Sequence, residues 1–252
     1  MIERKSKNNS LLRKRLIQEY FDTTSYSSFS NSSHYECSAL SIHRKLSGWL
    51  PQKGQSVLDI GCGGGELLYL FKKSGIHDLT GVNLCEAELK KAKEKIDAKF
   101  YCQNVLDFFY DNQRKYDWIY ALNFIEHLDD DELLQVMNQA SLHLKPTGNI
   151  VVIIPNALSP FAGQTRYWDL THQRSFTPSS LRQLSKLCNL SDNLEFKECG
   201  PKPHGVKSSI RWLAWQVLRG LIAVYLLIEV ADIRHGIYTS DMVVRFHAKE
   251  LI

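Results

Sequence analysis

Val57-Leu58-Asp59-Ile60-Gly61-Cys62-Gly63-Gly64-Gly65-Glu66 is the stretch from which the rest of this chain can be read. Val57 to Ile60 is a short, mainly apolar run stopped by glycine, the pattern of a buried strand. The glycines that follow permit positive φ and let the backbone approach a ligand closely. From Glu66 onward Leu67, Leu68, Leu70 and Phe71 return at helical spacing, so strand, tight turn and helix N-terminus follow one another. Backbone N–H groups at such a turn can hold a nucleoside ligand. The glycines are spaced Gly-x-Gly-x-Gly rather than in the Gly-x-Gly-x-x-Gly of dinucleotide turns. Asp59, two residues before the first glycine, suits a ligand with a cationic amino-acid end better than one with a pyrophosphate.

Downstream, strands and helices alternate. Leu79–Leu84, 98–102, Tyr116–Leu122 and Asn149–Ile154 read as strands, with helices over 86–96 and 130–144. Leu194–Cys199 and Tyr238–His247 read as two final strands, with an apolar helical insert over 208–233 between them. This order predicts an α/β fold with a doubly wound, mostly parallel, seven-stranded sheet. Ligands in such sheets sit at the carboxyl ends of the strands, so chemistry is expected there. One domain is expected, with a helical arm over 1–50, a ligand-binding core over 51–155, and an acceptor loop, last strands and insert over 156–252.

The segment Leu58-Asp59-Ile60-Gly61-Cys62-Gly63-Gly64-Gly65 resembles motif I of class I S-adenosylmethionine-dependent methyltransferases. The resemblance implies a Rossmann-like fold and S-adenosyl-L-methionine as cofactor, held by Asp59, Gly61, Cys62, Gly63 and Gly65. Asn83, with Leu84 after it, stands where the family usually has an acid for the ribose hydroxyls. Asn104, with Val105, stands where an Asp receives the adenine amino group. Both departures remove a charge from a charge-assisted hydrogen bond, which predicts weaker cofactor binding. Ala121-Leu122-Asn123-Phe124-Ile125-Glu126-His127-Leu128 resembles the family's motif after strand four. It implies Asn123 beside the methionine part of the cofactor, Glu126 orienting the loop, and His127 as a base or a brace.

Beyond strand five comes Arg166-Tyr167-Trp168-Asp169-Leu170-Thr171-His172-Gln173-Arg174-Ser175-Phe176-Thr177-Pro178, polar and aromatic without helix or strand period. Loops at such a place carry function more often than stability. Thr177-Pro178 opens a helix with a cap and a proline at its first position. This block is similar to a subset of these methyltransferases found with bacterial surface-polysaccharide genes, which share Asp-x-Thr-His followed by Phe-Thr-Pro. The implied acceptor is a sugar hydroxyl on a glycan or saccharide intermediate. His172 is then the candidate base, Asp169 its orienting partner, and Arg166, Tyr167 and Arg174 the substrate contacts. A quinone-type, lipid-soluble acceptor and a non-catalytic S-adenosyl-binding module remain the alternatives.

Composition narrows the remaining classes. Net charge is only +4 with both signs interspersed, which gives no reason to expect nucleic acid. The basic residues Arg4, Lys5, Lys7, Arg13, Lys14 and Arg15 read as a solvated arm or a contact for an anionic membrane face. Six cysteines show no Cys-x-x-Cys pair, so no metal and no disulfide framework is expected and a cytoplasmic setting fits. Asp129 to Glu132 read as a helix start, not as metal ligands. No signal peptide is expected at the start. The apolar stretch 212–230 carries Gln216, Arg219 and Glu229, and its uncharged core reads as too short to span a bilayer. Burial against the core or in a homodimer is expected to cover it, with peripheral docking at the inner membrane face as the other reading.

Overall fold

The computed structural model describes residues 32–249. The basic residues of the arm expected over 1–50, Arg4 to Arg15, lie outside the described residues.

Strand β1, Ser56–Ile60, is buried at all its positions and alternates between the two faces of the sheet. Leu58 and Ile60 enter one apolar cluster and Val57 the other. Helix α1 (Ser32–Leu46) turns Tyr35, Ala39 and Leu46 inward at helical spacing. It is the described part of the helical arm expected over 1–50, and its His43 is exposed.

Helix α2 is Glu66–Lys73, strand β2 Asp78–Asn83, helix α3 Glu86–Lys95 and strand β3 Lys99–Cys102. Helix α4 (Val105–Asp111) was not anticipated. Asn104 caps it, accepting from Leu106 N–H at 2.8 Å, and Phe108 and Phe109 bury its inner face. Strand β4 is Tyr116–Leu122, helix α5 Asp130–Leu142 and strand β5 Leu144–Pro155. Asp129 caps α5 in a reciprocal box with Glu132, which accounts for the acidic run. Helix α6 (Ala162–Tyr167) interrupts the loop after β5, and helix α7 (Pro178–Leu187) follows, capped by Thr177. Strand β6 is Glu195–Glu198, helix α8 Val206–Val230 and strand β7 Asp241–His247.

The sheet runs β3-β2-β1-β4-β5-β7-β6. All pairs are parallel except those made by β7, which runs antiparallel to β5 and β6. This is the expected seven-stranded, mostly parallel, Rossmann-like sheet with a helical insert before the last strand. Helices α4, α5 and α7 fill one face and α1, α2 and α3 the other. Strand order reverses between β1 and β4, so a crevice opens at their carboxyl ends.

Helix α8 departs from expectation. It has 25 residues, long enough and apolar enough to cross a membrane by length and composition alone. At 1.5 Å per residue it runs about 37 Å, although Arg219 and Glu229 still interrupt its apolar run. Cover by the core is corrected, since Leu226 is its one buried side chain. The inward stripe mixes apolar Leu226, Ile222 and Ala223 with polar groups. Arg219 donates to Gly236 O at 3.2 Å and approaches Glu198 at 3.7 Å, and Trp215 Nε1 donates to Glu198 at 3.4 Å. Leu213, Val217, Leu221, Val224 and Ile228 face outward.

Two glycines explain the bend after β1. Gly61 has φ +71°, and a Cβ there would lie 2.3 Å from the Phe124 ring. Gly65 has φ +84°, with Ile96 2.6 Å from its would-be Cβ. Gly61→Ala combines left-handed strain of about 1–2 kcal/mol with overpacking of about 1–3 kcal/mol. Urea unfolding should therefore show a loss of roughly 2–5 kcal/mol, with no change in the slope.

Candidate active site

The bend carries a concentration of acidic side chains. Asp59 is 3% exposed, and burial pushes its carboxyl well above the usual range, with the Glu66 charge adding to the shift. Glu88, on the first turn of α3, is also raised, by burial first and by Glu66 in addition, against a hydrogen bond from Asn83 that lowers it. Burial, then Asp59, Glu88 and Glu66, pushes the Cys62 thiol up. Tyr35 reaches over from α1 to donate to Gly64 O at 2.7 Å, and its phenol is pushed up to about 12 by burial and by Glu66. A Cβ on Gly63, at φ +50°, would meet open space. Open space at Gly63 and three clustered acidic side chains fit a ligand that is cationic at one end and bears hydroxyls.

The two asparagines behave differently from the sequence expectation. Asn83 donates through Nδ2 to Glu88 at 2.7 Å, so the acid missing at the β2 end is supplied five residues later. Periodicity could not reveal this, because Glu88 reads as an ordinary first-turn acid. The Asn104 side-chain oxygen caps α4, a role the sequence did not suggest, and its second lone pair stays open to the expected adenine amino group. Leu84 is exposed at the β2 end and Val105 is buried on α4.

After β4 the chain turns sharply. Asn123 has φ +52°, Phe124 packs on the Gly61 bend, and Ile125–His127 forms a single 3₁₀ turn. Glu126 is fully buried, neither carboxylate oxygen has a hydrogen-bond partner, and burial pushes its pKa up to about 8. Gln173 N–H donates to Glu126 O at 2.8 Å, which brings the loop after β5 onto this turn. His127 and His172 then meet edge to face, with ring centroids 4.8 Å apart.

Asp169 does not orient His172, which corrects the expected pairing. Its carboxylate accepts from Thr171 N–H at 2.8 Å and from the Thr171 hydroxyl at 2.7 Å. Thr171 Oγ1 lies 2.6 Å from His127 Nδ1, so the relay runs Asp169, Thr171, His127. His172 is set by Thr165 O, 2.9 Å from its Nδ1. Neither threonine was singled out from sequence, because each contact closes a turn whose path the sequence does not reveal. Arg166 donates to His172 O and Gln173 O, and Arg174 pairs with Asp130 at 2.7 Å, so both guanidinium groups hold the loop in place. Tyr167 and Trp168 are exposed, at 76% and 79%, beside the site.

The comparisons with known proteins agree with this geometry. A family model described as "Methyltransferase domain" matches residues 32–194. The chain belongs to that methyltransferase family. It is 34% identical over 103 residues to a Coxiella burnetii "Ubiquinone biosynthesis O-methyltransferase", covering 39% of this chain and 42% of the relative. The chain thus spans about two fifths of the length of the curated relatives it matches. Its fold is that of a SAM-dependent methyltransferase from Archaeoglobus fulgidus, with a TM-score of 0.61 and 20% identity over 93% of this chain and 99% of that one. It is also the fold of the Burkholderia thailandensis 1,6-didemethyltoxoflavin-N1-methyltransferase, solved with S-adenosylhomocysteine, at TM-score 0.56 and 15% identity over 97% and 90% of the two chains.

A carboxyl whose pKa is raised on folding holds its proton in the native state after the unfolded chain has lost it. Stability therefore falls as pH rises above the unfolded value of about 4. For Asp59 this predicts a decline toward neutral pH of up to about 1.4 kcal/mol per pH unit, which Asp59→Asn should flatten. Urea midpoints measured across the pH range check it.

Proposed function

We propose that this chain binds S-adenosyl-L-methionine at the bend after β1 and transfers its methyl group to a hydroxyl oxygen on an acceptor that carries an apolar group. The observation that carries this reading is the Gly61–Phe124 contact. It joins the carboxylate-rich bend, suited to a sulfonium nucleoside, to the turn bearing Glu126, His127 and the neighbouring His172. When bound, the cofactor supplies an electrophilic methyl on cationic sulfur. Asp59 and Glu88 offer carboxylates to its amino and hydroxyl groups. A hydroxyl nucleophile must lose its proton, and the histidine pair is the basic group at hand.

The polarity of α8 favours the apolar part of the acceptor. Its outward aliphatic face, together with Phe161, Tyr167, Trp168 and Leu170 on the loop after β5, supports peripheral docking on a membrane next to the acceptor entrance. Residues 157–160 at the start of that loop line one groove with Leu221, Ile222, Tyr225, Leu226 and Glu229 of α8, which supports reading the two as neighbouring surfaces. A polyprenylated phenol and a lipid-linked saccharide share this chemistry. The ubiquinone O-methyltransferase relatives favour the first, and the Asp-x-Thr-His resemblance the second.

Calorimetry should show S-adenosylhomocysteine binding to the wild-type chain; no heat at millimolar ligand would defeat the cofactor assignment. His172→Ala should cut turnover by about 10²-fold or more while leaving that affinity unchanged. A radiolabelled-methyl screen against nucleotide sugars, lipid-linked glycans and prenylated phenols identifies the acceptor, and binding without any turnover would favour a non-catalytic module.

Sedimentation with anionic vesicles tests the membrane contact. The wild type should co-sediment, and the double substitution of Leu221→Asp and Ile228→Asp should leave the protein in the supernatant.

A further inference from the structure

We propose that Glu126, His127 and His172 form a binding site for one divalent transition-metal ion, a site the cysteine pattern gave no reason to expect. One ligand-type atom from each of the three residues lies within 4.8 Å of the others. Ligands about 2.1 Å from a shared ion stand roughly 3–4 Å apart, so small side-chain rotations close the set. The Glu126 carboxylate is aimed into the protein at 0% exposure with both oxygens unpartnered, an arrangement that costs stability unless something cationic meets it.

The tautomers suit the role. Thr171 Oγ1 gives its proton to Asp169, so it accepts from His127 Nδ1–H, and the ring's lone pair resides on Nε2. Thr165 O can only accept, so His172 likewise carries its proton on Nδ1 and its lone pair on Nε2. Each imidazole is thereby oriented by an outer hydrogen bond through the nitrogen that does not ligate, and behind His127 that bond ends on a carboxylate. Arg166, clasping the carbonyls of His172 and Gln173, and the Gln173–Glu126 backbone bond hold the two segments together. Two imidazoles and one carboxylate favour zinc, manganese or iron over magnesium or calcium and leave coordination positions open.

The role of the ion rests on the function proposed above; its binding does not. A hydroxyl entering an open position is acidified and yields its proton to solvent. Its oxygen lone pair then forms the bond to the methyl carbon as the carbon–sulfur pair returns to sulfur, leaving a neutral thioether. With the ion bound, both histidine lone pairs are ligands, so the loss of turnover in His172→Ala is common to a metal site and a histidine base. Direct measurement of the ion separates them.

The full chain, stripped with chelator and dialysed, is titrated with Mn²⁺ followed by electron paramagnetic resonance and with Zn²⁺ by calorimetry. One ion per chain is expected. Affinity should fall at least about tenfold in Glu126→Gln and His172→Ala, and about tenfold in the outer variant Asp169→Asn. Circular dichroism establishes that each variant is folded, and Glu126→Gln preserves the shape of the buried side chain. No stoichiometric binding by the wild type, or folded variants binding as tightly as wild type, would overturn the site. S-adenosylhomocysteine is titrated into the stripped protein in parallel, and its failure to bind would sink the proposed function while leaving the cation result standing.

Discussion

The contact between the Gly61 bend and the Phe124 ring is the constraint on which the ligand edge of this protein depends. No side chain fits at Gly61, and the positive φ there directs the chain from β1 straight toward the helix that follows. Because Phe124 fills that space, the turn after β4 is seated against the turn after β1. Glu126 and His127 follow Phe124 directly, so a steric fit between a glycine and an aromatic ring positions groups that belong to different halves of the sheet.

Charge follows from that seating. On the β1 side, Asp59, Glu66 and Glu88 crowd together, and the Glu66 charge adds to the cost of ionising Asp59 and Glu88. On the β4 side, a buried carboxylate faces two imidazoles whose protons are fixed by threonine contacts. The first arrangement suits a cationic nucleoside and the second an ion or an acidic hydroxyl. Polar groups are also turned inward on α8, where Arg219 and Trp215 reach Glu198 and leave the aliphatic face outside. A helix packed on a protein core normally turns its aliphatic face inward, and most of the aliphatic side chains of α8 are exposed instead.

Much of the architecture was legible because it is written in local periodicity. The apolar run stopped by Gly61, the alternation of strands with helices, the cap at Asp129 and the Thr177-Pro178 helix start all depend on neighbours within a few residues, and all appear where expected. Helices α4 and α6 were missed because they are short and are flanked by loops of mixed character. The polarity of α8 was misjudged for a different reason. Its narrow polar stripe was visible, but whether a stripe faces protein or surroundings depends on what lies opposite, and Glu198 is distant in sequence.

The sequence by itself determined the sheet, its ligand-bearing edge and the glycine bend, since each follows from steric rules acting over a few residues. Only the tertiary structure decided the partnerships. Asp169 serves His127 through Thr171, Glu88 stands behind Asn83, the arginines brace the loop, and Glu126 lies buried beside two histidines. These pairings are set by hydrogen-bond directions and side-chain volumes at places where distant segments cross, and no spacing along the chain encodes a crossing.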